Sequence, residues 1–274
     1  MFKFASKYQI ALFSFRLGIF LLVSAPIFAA FFFVGSLIYG LILKWKEILK
    51  DKWNYLFIVA SLLIIIISII QSLEFNNLSV LVLNIEGGEF NEKIINWNSF
   101  SSLIGLSNWI PLFLCFTGFQ PYLSSENNRK IAAIFFMTGS VPVLISGFAQ
   151  YFFNWYGPFE TMNGLIIWYQ RDTGSGISSL FNNQNYAGCW LNIILPFSIA
   201  IFLEKTKNIF KRGSSLIFLV SISLASFLTT SRNAWGGIFL TVPLMLGYSS
   251  FYWTIPVLFF FILLILLKII NYFP

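Results

Sequence analysis

Apolar stretches of about 17 to 25 residues recur from one end of this chain to the other, each long enough to cross a hydrocarbon layer roughly 30 Å thick as a helix. Backbone groups inside lipid must bond within their own segment or within a closed barrel. Alternating ten-residue barrel strands are not seen, so the runs read as helices. With 58% hydrophobic residues and only 10% charged side chains, the composition is that of a polytopic membrane protein. The first apolar stretch lacks the short core and small-residue cleavage site of a signal peptide, and it reads as a retained helix.

Charge orients the helices. Lys and Arg gather at the N-terminus (Lys3, Lys7), in the loop with Lys44, Lys46, Lys50 and Lys52, at Arg129 and Lys130, and in the loop with Lys205, Lys207, Lys211 and Arg212. The positive-inside rule puts these loops in the cytoplasm. Intervening segments carry the acids: Glu74, Glu86, Glu89 and Glu92 in one, Glu160 and Asp172 in the other. The net charge of +7 is thus an orientation signal, not a nucleic-acid footprint, which would gather its basic residues on one soluble face.

Residues 9–43 have basic clusters at both ends and Pro26 inside, which splits them into two short helices hinged near Ser24 to Pro26. Further spans are expected at about 54–71, 102–122, 131–152, 186–203, 214–230, 235–249 and 254–271. The expectation is an all-α, polytopic transmembrane bundle of about nine helices in a single membrane domain, residues 1–274, N-terminus cytoplasmic and C-terminus periplasmic. Two outer loops remain. Residues 72–101 read as solvated, with at most an amphipathic turn. Residues 153–185 carry Trp155, Tyr156, Trp168 and Tyr169, rings suited to the membrane interface, with turns at Gly157-Pro158 and Gly174-Ser175-Gly176.

The chain has no histidine, which removes His-ligated metal, a Ser-His pair and a His base. Cys115 and Cys189 lie in apolar stretches and read as small packing residues. Glu86, Glu89 and Glu92 would share one face of a helix, and read as a solvated acidic face with no metal implied. No cofactor motif is present.

The chemistry-bearing residues fall in two segments: Gly176 to Pro196, and Thr229-Thr230-Ser231-Arg232-Asn233-Ala234-Trp235. Arg232 stands between two apolar runs. At the bilayer centre an arginine would cost about 2.5 to 3.5 kcal/mol, so it must reach the surface or a partner. It either snorkels to the headgroup layer, or it clamps a phosphate, whose oxygens match the guanidinium fork. Ser231 and Asn233 beside it would add neutral donors. Asn182, Asn183, Gln184 and Asn185 precede the next helix; one amide caps it, and four exceed what capping needs. Arg171 and Asp172 read either as a solvated surface pair or as contacts to an anionic or hydroxyl-rich substrate.

The Gly-x-x-x-Leu-Phe-x-Asn-x-Asn-Tyr-Ala-Gly element at Gly176 to Gly188, Leu195-Pro196, a short basic loop, and Ser231-Arg232-x-Ala-Trp together resemble the O-antigen ligase and O-antigen polymerase superfamily. Gln184 stands where that pattern often has proline. The resemblance implies a bacterial inner-membrane, multi-pass protein of lipopolysaccharide or other cell-surface polysaccharide assembly. Its partner would be a glycan carried on undecaprenyl diphosphate, and its activity metal-independent inverting glycosyl transfer without a cofactor. By resemblance, Arg232 matches the arginine that contacts the diphosphate, and Asn183 and Asn185 match the asparagine motif, structural or headgroup-facing.

Family members have about a dozen membrane helices, with a large periplasmic loop after the ninth that carries the catalytic histidine. By resemblance this sequence looks like roughly the first two thirds of such a protein: a truncated gene product, one piece of a split protein, or a degenerate paralogue. No catalytic residue is assigned in it, and a separately encoded C-terminal portion is an expected partner if the protein is split. The substrate-binding set expected here is Arg232, Ser231, Asn233, Asn183, Asn185 and Arg171. Two other readings compete: a bicarbonate or other small-solute transporter, as some cyanobacterial members of the superfamily have been described, and a non-catalytic lipid- or partner-binding scaffold. Transport is disfavoured by the scarcity of charges in the middle of the spans.

Overall fold

The structure, a computed structural model, describes residues 2–74, 79–86, 89–96, 100–204 and 208–250, together with 252 and 256. Among the described residues the chain is helical: α1 Phe2–Leu21, α2 Pro26–Ile48, α3 Lys52–Glu74, α4 Ser101–Gly118, α5 Glu126–Gly139, α6 Val141–Phe153, α7 Gln184–Leu203, α8 Ile209–Leu228 and α9 Arg232–Leu246. Two antiparallel hairpins interrupt them: β1 Ser79–Glu86 with β2 Glu89–Asn96, and β3 Phe159–Thr161 with β4 Ile166–Trp168.

Five helical segments are long and apolar enough to cross a membrane: Lys52–Leu73, Ser101–Tyr122, Glu126–Phe153, Gln184–Leu203 and Ile209–Leu228. The chain is therefore an all-α membrane protein. In α3 only 6% of the apolar window is buried, leaving Leu62, Leu63, Ile66 and Ile67 on an outer surface that suits lipid and not water. Helices α1 and α9 coincide with expected spans but are not among the five; α1 carries Lys3, Lys7 and Arg16, and α9 has 15 residues. The apolar part of α2, Pro26–Ile42, is likewise short for a span. The expected span at 254–271 lies outside the described residues apart from Pro256.

The break between α1 and α2 falls where proline places it: α1 ends at Leu21 and Pro26 occupies the first helical position of α2, where a missing N–H costs nothing. The expected span 131–152 lies within the apolar segment Glu126–Phe153, which is built of two helices, α5 and α6, parted at Ser140. Gly139 lies so close to the Phe20 backbone that a side chain there would overlap it, and Pro142 begins the next helix. Residues 79–86 and 89–96 are paired strands where a loop was expected. They form a hairpin in which Glu86 pairs with Glu89 and Leu83 with Glu92, so the helical face that would have aligned Glu86, Glu89 and Glu92 does not exist. The β3–β4 hairpin was likewise not anticipated within 153–185. Cys189 is exposed, not packed, and Cys115 is half-buried.

The chain divides into two compact units, 1–15 with 33–128 and 16–32 with 129–274. In the first, fully buried Tyr122 donates its hydroxyl to the Ser36 carbonyl at 2.6 Å, and Asn54 and Gln120 exchange amide hydrogen bonds at 2.9 and 2.6 Å. Phe15 and Tyr8 stack on that tyrosine, Phe15 also meets Phe119, and Gly40 against Gly118 lets α2 and α4 approach closely. In the second unit α7 is the central helix. Its Leu191, Ile194, Leu195 and Ile199 pack with Val143 and Leu144 of α6 and Ile222 and Ala225 of α8.

Candidate functional site

The two sequence segments that carry the polar residues meet at one end of the second unit. Asn183 caps α7: its extended backbone lets the side-chain oxygen accept the Asn185 N–H at 2.7 Å. Asn185, Gly188 and Asn192 then follow at spacings of three and four, one stripe of α7, and that stripe meets α9. Ser231 Oγ donates to Asn185 Oδ1 at 2.9 Å; Gly188 lies against Ser231 and Ala234; Asn192 Nδ2 donates to the Asn233 carbonyl at 2.8 Å beside Gly237. Small residues at 188, 234 and 237 are what lets the backbones approach this closely.

The connection from α8 to α9 is a tight turn. Thr229 closes α8, Thr230 adopts φ 52, and Ser231 precedes α9. A β-branched residue in the left-handed region is strained by about 1–2 kcal/mol. The strain is held by the Thr230 hydroxyl, which donates to the Ser175 carbonyl at 2.7 Å. Thr230→Gly removes the strain and that bond together, so its net effect on unfolding in detergent is expected within about 1 kcal/mol.

Loop 170–183 is fastened from three sides. Gln150 of α6, 1% exposed, accepts the Ser178 and Ser179 N–H groups on Oε1 at 3.0 and 2.7 Å and donates from Nε2 to Ser178 Oγ at 3.0 Å. Ser178 Oγ in turn donates to the Arg171 carbonyl at 2.7 Å. Gln184 Oε1 accepts from Thr173 Oγ1 and Ser175 Oγ, both at 2.9 Å, and the Ile177 N–H donates to the Leu228 carbonyl at 3.0 Å. Ser179 is held at φ 52 with its hydroxyl buried and unpaired.

Arg232 is the first residue of α9 and is exposed, with no hydrogen bond or ion pair to the described residues. Ser231 Oγ donates to Asn185, and its oxygen accepts no α9 amide, so α9 has no side-chain cap. A guanidinium, uncapped amides and the positive end of a helix dipole therefore coincide. With no anion there, a cation at this position opposes the dipole; with one, both act in the same direction.

Of the expected site residues, Arg232, Ser231, Asn233, Asn183 and Asn185 lie at this helix junction, while the Asn183 oxygen is occupied as a cap. The Asn233 side chain is exposed and not hydrogen-bonded to the described residues. Arg171 is fixed through its carbonyl, its side chain is exposed, and no hydrogen bond or ion pair joins it to Arg232. Sequence reasoning missed Gln150, Ser178 and Asn192. An amide inside an apolar helix was the available signal for Gln150 and Asn192; Ser178 offered none.

The fold and junction define a helical membrane protein with an uncapped, arginine-bearing helix start. No family profile, curated protein or solved structure matches the chain.

Proposed function

We propose that this protein is an O-antigen ligase-like component of bacterial cell-surface polysaccharide assembly in the inner membrane, and that the α7–α9 junction holds the diphosphate of an undecaprenyl-diphosphate-linked glycan. The observation that carries the reading is the start of α9, which has no side-chain cap behind an exposed Arg232 and is held to α7 by the Ser231–Asn185 hydrogen bond. The two halves of the motif that resembles this superfamily thus touch each other. Gln184 adds support: it sits at the first position of α7, where the proline of the family pattern would be tolerated.

In this reading the guanidinium fork binds two phosphate oxygens, and the first-turn amides of α9 and the Asn233 side chain supply neutral donors. The part played in glycosyl transfer is to hold and stabilise the departing lipid diphosphate; the group that activates the acceptor is not assigned in this chain.

The test is binding of undecaprenyl diphosphate to the full chain in nanodiscs. Arg232→Ala is expected to weaken it about tenfold, the worth of one charge-assisted hydrogen-bonding group. Arg232→Lys should restore little, since an ammonium cannot bind two oxygens in a fixed plane. Equal affinity in all three proteins would remove the clamp.

A further inference from the structure

At the end of α7 opposite the Asn185–Ser231 contact, about 30 Å away by helix rise, α5, α7 and α8 enclose an open-sided groove of about 470 Å³. That volume is in the range that seats a small ligand. Its walls are regular. Lys130, Ile134 and Thr138 recur at helical spacing on α5, with Val141 at the start of α6 beyond them, and Lys211, Ser214, Ser215 and Phe218 recur on α8. Both series run from charged to apolar away from the same end, because α5 and α8 both begin there while α7 finishes there with Glu204 as its cap. The groove therefore has a cationic mouth and an apolar interior.

Its donors and acceptors are specific. Lys130 is ion-paired with Glu204, which cancels their charge, whereas Lys211 has no ion-pair partner among the described residues. Among the described residues that line the groove the net charge is +1, from two lysines and one carboxylate. Ser214 and Ser215 donate their hydroxyl protons to the Lys211 and Arg212 carbonyls at 3.0 and 2.9 Å, so toward the groove their oxygens act as acceptors. A free cation beside several acceptors suits a phosphodiester whose headgroup carries hydroxyls. The apolar side chains beyond suit the first part of an acyl chain.

We propose that this groove is a binding site for an anionic membrane phospholipid with a polyol headgroup, its phosphate at Lys211 and one acyl chain laid over Ile134, Val141 and Phe218. A zwitterionic amine headgroup gains less, because the carboxylate at the mouth is already paired. This site is independent of Arg232 and of the function proposed for it.

Native mass spectrometry of the full chain, with phosphatidylglycerol and phosphatidylethanolamine of matched acyl chains, tests it. Phosphatidylglycerol is expected to bind more tightly, and Lys211→Gln to weaken it about fivefold, the worth of one lysine at an anionic lipid surface. Glu204→Gln frees Lys130 and should strengthen binding; Arg212→Gln, outside the groove lining, should leave it unchanged. Equal binding of the two lipids, or an unaltered affinity in Lys211→Gln, overturns the proposal. Displacement of the lipid by inorganic phosphate at equal concentration would make this a soluble-anion site and overturn the lipid assignment.

Discussion

Replacing Gln150 by leucine is expected to destabilise the second unit by about 3–5 kcal/mol, read by unfolding in mixed micelles, because it strands several buried groups at once. The glutamine is almost fully buried, and one side-chain oxygen serves the amides of both Ser178 and Ser179. Leucine fills much of the same space and satisfies neither amide, and each buried orphan costs about 1–3 kcal/mol. Ser178→Ala gives the comparison: it keeps both amide bonds to Gln150 Oε1 and loses the two bonds of the hydroxyl, to the Arg171 carbonyl and from Gln150 Nε2, so about 1–2 kcal/mol is expected. Similar losses in the two variants would show that the amide clamp is not what fastens the loop. Since that loop leads directly to the Asn183 cap, Gln150→Leu should also weaken the diphosphate binding proposed for the α7–α9 junction, without touching Arg232.

What the sequence revealed and what it hid follow from the range of the interactions. Helix positions were legible because apolar length is a local property, and so was the cap on α7, since a run of amides before an apolar stretch must supply one. The start of α8 at Ile209, earlier than the expected 214, is set by Asn208, whose side chain accepts the Phe210 and Lys211 amides. The β1–β2 hairpin had a local signal in the short apolar run Val80 to Leu83 followed by Gly87-Gly88, which was obscured by the acidic, Asn-rich surroundings. The meeting of Asn185 with Ser231 was legible only as two motifs; the hydrogen bond between them spans 46 positions. Gln150 was legible only as an amide inside an apolar helix, without its role. A single amide near the end of an apolar helix has no local partner, and its acceptor role is fixed by a loop 28 residues away.

Gly176→Ala is expected to cost about 2–3 kcal/mol, the usual penalty for forcing an atom into a filled space. A Cβ at this glycine would run into the Thr229 carbonyl and the Thr230 hydroxyl. Backbone cannot swing aside as a side chain tip can, so the loop and the α8–α9 turn must part. Parting them breaks the Ile177-to-Leu228 bond and the Thr230-to-Ser175 bond, and the latter holds Thr230 in its left-handed conformation. Gly174 separates this steric cause from a conformational one. Its φ is 69 but nothing lies within 4 Å of a Cβ placed there, so Gly174→Ala should carry only the left-handed backbone penalty, about 1–2 kcal/mol. If Gly174→Ala proved the more costly of the two by unfolding in mixed micelles, the close approach at Gly176 would not be what locks the turn. The same turn sets the position of Ser231 and hence of Arg232. A larger loss of undecaprenyl diphosphate binding in Gly176→Ala than in Gly174→Ala is therefore expected if that arginine holds the lipid headgroup.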